Sequence, residues 1–440
     1  MKKKFVWGVA TSAYQVEGAV REDGRTPSIW DTFCAQPGKI DHGDTGEIAC
    51  DHYHHYKEDI RLMSELGIDS YRFSISWPRI FPEKGRYNPD GMRFYQNVIA
   101  ELKKYGITAA VTLYHWDLPQ WAEDLGGWLN RECVDWFEEF ARKCFEKLDA
   151  DVSMWITHNE PWCASFLSYY IGAHAPGKHG LEQAMIAAHH MMLSHGRAVR
   201  VYRAMGGKHP IGITLNSTPV YAATDTFPDQ LARSMQEGYQ NRWFLDPLFR
   251  KSYPTDMAAL FAAQCGTRFA FLQPGDLECI AEPIDFIGLN FYSHCYVNYD
   301  PASPILIGHP ETDYPKTDIG WDIHPEALER LVRDTREYTS IPIYITENGS
   351  AWDDRVENGC VHDQERVDYL RRHLEEVDHL NQMGLGIQGY FSWSFLDNFE
   401  WANGYSKRFG LVYVDYKTLK RIPKDSFYAY RDWIQAFRKR

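Results

Sequence analysis

The sequence predicts an α/β protein, a single (β/α)8 TIM barrel with long βα loops over its C-terminal face. Two observations carry this. Eight short apolar runs punctuate the chain, at residues 5–12, 70–76, 108–115, 154–160, 211–216, 286–292, 343–347 and 387–394. Helical patterns lie between most of them, at 56–66, 90–104, 131–147, 181–205, 325–338 and 363–383. Strand–helix alternation repeated eight times is the pattern of one parallel barrel rather than two domains. No Gly/Ser linker, internal repeat or low-complexity stretch marks a boundary, so residues 1–440 read as one domain. Barrels of this kind often take about 250 residues. The surplus is expected as insertions over the mouth, chiefly 221–249 and 296–321.

A strand buried on both faces reads as a continuous apolar run, and in a barrel its C-terminal tip faces the active-site mouth. Strand one runs into Gln15 and Glu17, strand two contains Arg72, and strand three ends in His115 and Trp116. The fourth ends in Asn159 and Glu160, and the sixth in Asn290, Phe291 and Tyr292. The seventh runs through β-prone residues into Glu347, where Asn348 and Gly349 turn the chain. The eighth ends in Trp393. Each polar tip alone could be an ordinary turn residue. Two carboxylates with Arg, His, Asn, Tyr and Trp on one face are a poor stability device and a good chemical one.

Composition removes other classes. Hydrophobic residues make up 44% and charged residues 24%, the balance of a soluble globular protein. Lys plus Arg number 47 against 60 Asp plus Glu, a net charge of −13 with no basic stripe, so no nucleic-acid partner is expected. No run approaches the ~18 apolar residues of a membrane span. The start at residues 1–4 is basic but lacks the apolar core of a signal peptide. Nine scattered cysteines without CxxC spacing suggest a cytoplasmic protein with mostly buried free thiols. Fifteen Trp and 27 Tyr supply flat faces of the kind that stack on sugar rings.

Five motifs together resemble glycoside hydrolase family 1, the β-glucosidases. FVWGVATSAYQVEGA at 5–19 is similar to the family's N-terminal signature, THNEP at 157–161 to its acid/base motif, and ITENG at 345–349 to its nucleophile motif. YHWDLP at 114–119 and SFLDNFEW at 394–401 match in order. His158 departs from a position usually bulky and apolar, and Ser350 from one usually Ala.

The resemblance implies a retaining, exo-acting β-glucosidase that needs no cofactor and no metal. Its substrates would be cellobiose, short cello-oligosaccharides and aryl β-glucosides, with β-galactosidase or β-fucosidase side activity. It implies Glu347 as nucleophile and Glu160 as acid/base. Arg72 and Tyr292 would favour the Glu347 anion, while Glu160 needs a less charged setting to keep its proton near neutral pH. Asn159 would bind the 2-hydroxyl, and Gln15, His115, Glu400 and Trp401 the remaining hydroxyls. Trp116, Asn290 and Phe409 belong to the same substrate-binding set. Trp393 would floor the sugar, Trp321 shape the leaving-group side, and Trp162 and Leu167 narrow the entrance. A cis peptide is expected between Trp393 and Ser394.

Three other readings are weaker. The 6-phospho-β-glycosidases of this fold carry Ser at the position of Glu400, with a nearby Lys and Tyr. Here Glu400 would repel a phosphate, Phe409 replaces the Tyr, and only Lys407 remains. An inactive sugar-binding barrel would have lost a carboxylate, and both are present. The clusters DHYHH at 51–55 and His189, His190 and His195 invite a metal, but no further ligand pattern completes a site.

Overall fold

The computed structural model describes residues 5–440; the basic start at residues 1–4 lies outside them. Eight parallel strands close into a barrel in chain order. They are β1 (Val6–Ala10), β2 (Ser70–Ser74), β3 (Thr108–Tyr114), β4 (Val152–Asn159), β5 (Ile211–Leu215), β6 (Phe286–Asn290), β7 (Ile343–Asn348) and β8 (Ile387–Trp393). The expected runs coincide with these strands to within two residues at either end. Closure is made by β1, which pairs with β8 through Ala10↔Trp393 and with β2 through Ala10↔Arg72.

Two strands lose regular register at their C-terminal ends. The shift in β4 falls between Ile156 and Asn159, and that in β7 between Ile345 and Glu347. Such irregularities re-aim a side chain at the rim of a barrel. Here they fall on the two strands whose tips carry Glu160 and Glu347.

Helices follow the strands as the periodicity predicts, among them His52–Leu66, Pro89–Lys104, Glu132–Leu148, Leu181–Ala204, Ala327–Arg336 and Gln364–Gln382. The insertions differ from plain loops. Residues 221–249 hold the helices Phe227–Glu237 and Trp243–Arg250, joined by a π-helical turn. The strand Val220–Ala222 pairs with Cys295–Tyr299, which in turn pairs with Ile307–Gly308. Val220, Ala232, Val297 and Ile307 form a small apolar core of their own, which is why both insertions fold as one layer beside the mouth.

The histidine clusters are structural ties. His52 Nδ1 lies 2.7 Å from Asp59, which also accepts from Arg421 at 2.8 Å. His189 bridges Tyr253 and Asp276, each at 2.9 Å, and His195 lies 2.7 Å from Thr157 Oγ1. Among the described residues, no group of three or more His, Cys, Asp or Glu could hold a metal ion. Nor is any described helix long and apolar enough to cross a membrane. All nine cysteines are free, and most are buried.

Candidate active site

The strand tips open into one cavity of about 880 Å³. Glu160 and Glu347 both line it and are both almost wholly buried, at 6% and 3% exposure. Glu347 is gripped from two sides. Arg72 Nη1 donates to Oε1 at 2.6 Å, and the Tyr292 hydroxyl donates to Oε2 at 2.7 Å. Arg72 also donates to the Thr346 carbonyl and to Asn159 Oδ1, so one guanidinium reaches from β2 to both β4 and β7.

Glu160 has a different setting. Its Oε1 accepts from Asn290 Nδ2 at 2.6 Å, with no cation bonded to it. Asn290 accepts in turn from Thr346 Oγ1 at 2.8 Å, and its amide also donates to Asn159 Oδ1 at 3.0 Å.

These settings separate the two groups. Burial, then the neighbouring Glu347 charge, pushes Glu160 up to about 7 against the lowering effect of Asn290. Burial also raises Glu347, although Arg72 and Tyr292 pull it down. The expectation that Arg72 favours the anion holds for that contact; burial outweighs it. Glu400 departs further from expectation. Burial, then Glu347 and Glu160, raises it to about 8, so it is protonated at neutral pH rather than a ready anion.

Most of the expected residues meet here. His115, Trp116, Asn290, Tyr292, Trp321, Trp393, Glu400, Trp401 and Phe409 all line the cavity, as do Trp162 and Leu167. His115 stacks on Trp393 with ring centres 5.7 Å apart, and burial holds it neutral. Trp321, Tyr292 and Phe409 form an aromatic corner with centres 5.1 to 6.2 Å apart. The peptide Trp393–Ser394 is cis. Trp116, Glu160 and Trp401 all adopt positive φ, a conformation costly for non-glycine residues that gathers at functional sites.

Gln15, Arg72 and Asn159 stand behind the wall rather than on it. Gln15 lies on the short helix Ala13–Val16, and its amide serves Ser12, Asn398, the Phe399 carbonyl and Glu400. It braces the Glu400 segment. Asn159 is engaged by Arg72, Asn290 and His115. Lys407 is paired with Asp318 at 2.9 Å and is not free to clamp a phosphate. The two departures from the family pattern are packing features. His158 bonds Ser194 at 2.8 Å and stacks on Phe137, and Ser350 accepts from Trp352.

Sequence reasoning missed Cys163. It lines the cavity and accepts from Asn216 Nδ2 at 3.3 Å. Its place three residues after Glu160 was the available signal. The π-helix Cys163–Ile171 then carries the cavity wall outward.

A closed parallel barrel with paired buried carboxyls in an aromatic cavity defines a glycoside-cleaving enzyme. The chain belongs to glycosyl hydrolase family 1, whose profile matches residues 1–438. It is 45% identical over 439 residues to β-glucosidase A of Acetivibrio thermocellus, covering 98% of both chains. It is 43% identical over 460 residues to a bifunctional β-D-glucosidase/β-D-fucosidase of Bifidobacterium breve, covering 99% of this chain and 97% of that one. The crystal structure of a β-glucosidase from Exiguobacterium antarcticum B7 superposes with a TM-score of 0.98 at 54% identity, covering 99% and 98% of the two chains.

Proposed function

We propose that this protein hydrolyses terminal non-reducing β-D-glucosyl residues of cellobiose, short β-glucosides and aryl β-glucosides by double displacement. The observation that carries the reading is the pair of buried carboxyls lining one cavity in unlike settings, Glu347 held by Arg72 and Tyr292 and Glu160 raised to about 7. Retaining glycosidases hold their carboxyls about 5–5.5 Å apart, against about 6.5–9.5 Å in inverting ones. One Arg72 guanidinium bonded to both Glu347 and Asn159, the neighbour of Glu160, suits the closer spacing.

Glu347 attacks the anomeric carbon as Glu160 gives its proton to the departing oxygen, forming a glycosyl-enzyme. Glu160, now a base, takes a proton from water, which displaces Glu347 and restores the β configuration. Arg72 and Tyr292 steady the Glu347 carboxylate as it attacks and leaves. His115, Trp116, Glu400 and Trp401, which line the cavity, serve the sugar hydroxyls over the Trp393 floor, while Asn159 and Gln15 just behind them hold Arg72, Asn290 and Glu400 in place. Trp321 and Phe409 border the leaving group.

The Bifidobacterium relative supports a fucosidase side activity. The bonded Lys407 and the absent Tyr weigh against a 6-phosphoglycosidase. Free, mostly buried thiols favour a cytoplasmic place for the enzyme, where it would act on cellobiose released from cellulose. The test is NMR of the first-formed sugar from a chromogenic β-glucoside. β-Glucose appearing before mutarotation is expected; α-glucose would rule out double displacement, and no turnover would rule out the enzyme.

A further inference from the structure

The segment that carries Trp321 is fastened to the chain leaving β6 by two histidines. His324 Nδ1 and His294 Nδ1 face each other at 3.2 Å, with the ring planes at 89°. Just before His324 in the chain, Trp321 lines the catalytic cavity with 36% of its surface exposed. His294 is 6% exposed and lines the same cavity, whereas His324 does not. Beside the pair, the Ser293 hydroxyl donates to the Asp322 carbonyl at 2.9 Å. Tyrosines close round it. Tyr314 stacks on His324 at 4.7 Å, and the rings of Tyr221 and Tyr296 meet His294 edge-on at 5.8 and 5.3 Å.

We propose that His294 and His324 act together as positioning residues, holding Trp321 against the leaving group and releasing it when both imidazoles are protonated. This rests on the glucosidase reading of the cavity. A neutral imidazole has one N–H and one lone pair. A bond between the two Nδ1 atoms therefore needs a proton on one ring and a lone pair on the other. One added proton keeps that bond and makes it charge-assisted. A second puts N–H on both facing nitrogens, so the bond is lost and two like charges meet. The surrounding groups do not offset this. Asp322 Oδ2 lies 3.4 Å from His294 Nε2, but Lys316 and Thr312 already bond that carboxylate. Glu326 lies 4.0 Å from His324 Nε2 and is shared with Arg372 at 3.7 Å. Arg330 adds positive charge over the Tyr221 ring at 5.3 Å. Burial, then the neighbouring His324, lowers His294 to about 4, and burial lowers His324 as well. The pair is thus intact at neutral pH and opens as pH falls towards 4.

The experiment compares two substrates whose leaving groups depart without a proton, 2,4-dinitrophenyl β-glucoside and β-glucosyl fluoride. Only the aryl group is large enough to reach Trp321, so the ratio of the two kcat/KM values separates that contact from the titration of Glu347. In the wild type the ratio should drop to about half near pH 4, on the way to a limit about fivefold lower, the usual worth of one net hydrogen bond. His324→Asn keeps a hydrogen-bonding group near the place of Nδ1 but takes no proton, and its ratio should stay flat over the same range. His324→Leu should show the about fivefold lower ratio already at pH 6, with fluoride kinetics near wild type. A wild-type ratio unchanged down to pH 4, or one that falls equally in His324→Asn, would overturn the release. A wild-type ratio in His324→Leu at pH 6, or an equal loss on both substrates, would overturn the positioning role. A wild type inert towards both substrates would sink the glucosidase reading and this one with it. An active wild type whose variants keep its ratio at every pH would sink this one alone.

Discussion

At the scale of single residues the sharpest question is how Glu160 and Glu347 divide the work. Glu160→Ala removes the proton donor and leaves Glu347 free to attack. Hydrolysis of cellobiose should slow by roughly 10²–10⁴-fold, the usual contribution of a positioned acid. Formation of the glycosyl-enzyme from a dinitrophenyl glucoside, whose leaving group needs no proton, should slow little. The intermediate then accumulates, and azide, nucleophilic without a base, should restore turnover and give the β-glycosyl azide. Glu347→Ala should give only the α-azide, by one inversion. Anomers found the other way round would exchange the two roles. Glu400→Ser should lower kcat/KM for glucosides by roughly 10–200-fold, because it removes the hydroxyl ligand; unchanged kinetics would take Glu400 away from the sugar. The positions of Glu160 and Glu347 were legible because each ends an apolar run beside a polar neighbour. The proton on Glu400 was not, since it depends on burial and on two carboxyls far away in sequence. Nor was the inward turn of the Gln15 amide, which is settled by residues 398–400.

The elements tell a parallel story about what is local and what is not. The barrel strands were readable to within two residues because burial on both faces leaves an unbroken apolar run. The insertions were readable as places but not as structures. Val220–Ala222 and Ile307–Gly308 are two or three residues long and become strands only by pairing with Cys295–Tyr299. The turn after β7 is tight for a reason visible only in three dimensions. A Cβ on Gly349 would sit 1.6 Å from the Trp393 carbonyl oxygen. The end of β7 is thus pressed directly on the end of β8, with backbone rather than a flexible side chain in the way. Gly349→Ala should force the two tips apart and displace Glu347 and Trp393 together. The expected cost is about 1–3 kcal/mol or more of stability, with a fall in kcat greater than a stability loss alone explains. Thermal melts and active-site titration with a slow-deglycosylating glucoside would check this. A variant that melts like wild type and titrates fully would show that the turn has room to give.

Across the whole molecule, buried charge is distributed in two opposed ways. Away from the cavity it is paired. Lys424 donates to Asp397 at 2.6 Å and also bonds Asp354, while Arg366 bonds Asp354 at 2.7 Å and Arg408 bonds Asp397 at 2.6 Å. This network ties the loops after β7 and β8 to the C-terminal segment. Removing one member leaves buried charge short of a partner, so Lys424→Met should cost about 3–5 kcal/mol, read as a lower denaturant midpoint. An unchanged midpoint would mean that the surrounding ions rearrange freely. In the network, Asp354 is pulled below its ordinary value of 3.8, chiefly by Lys424 and Arg366 against burial. Its contribution is therefore present above about pH 4 and is lost as pH falls through the folded value.

The cavity carboxyls have the opposite sign. Glu160 and Glu400 are raised from 4.5 to about 7 and about 8. Between pH 4.5 and those values the folded protein holds protons that the unfolded chain has released, so stability falls as pH rises. The contribution of these two carboxyls therefore favours the acid side of neutrality, below the pH at which Glu400 ionises. Glu400→Gln keeps the shape of the side chain but removes the titration. It should raise Tm more at pH 8 than at pH 5, where wild-type Glu400 already carries its proton. Melts at the two pH values decide it. An equal change at both would mean that Glu400 does not titrate between them.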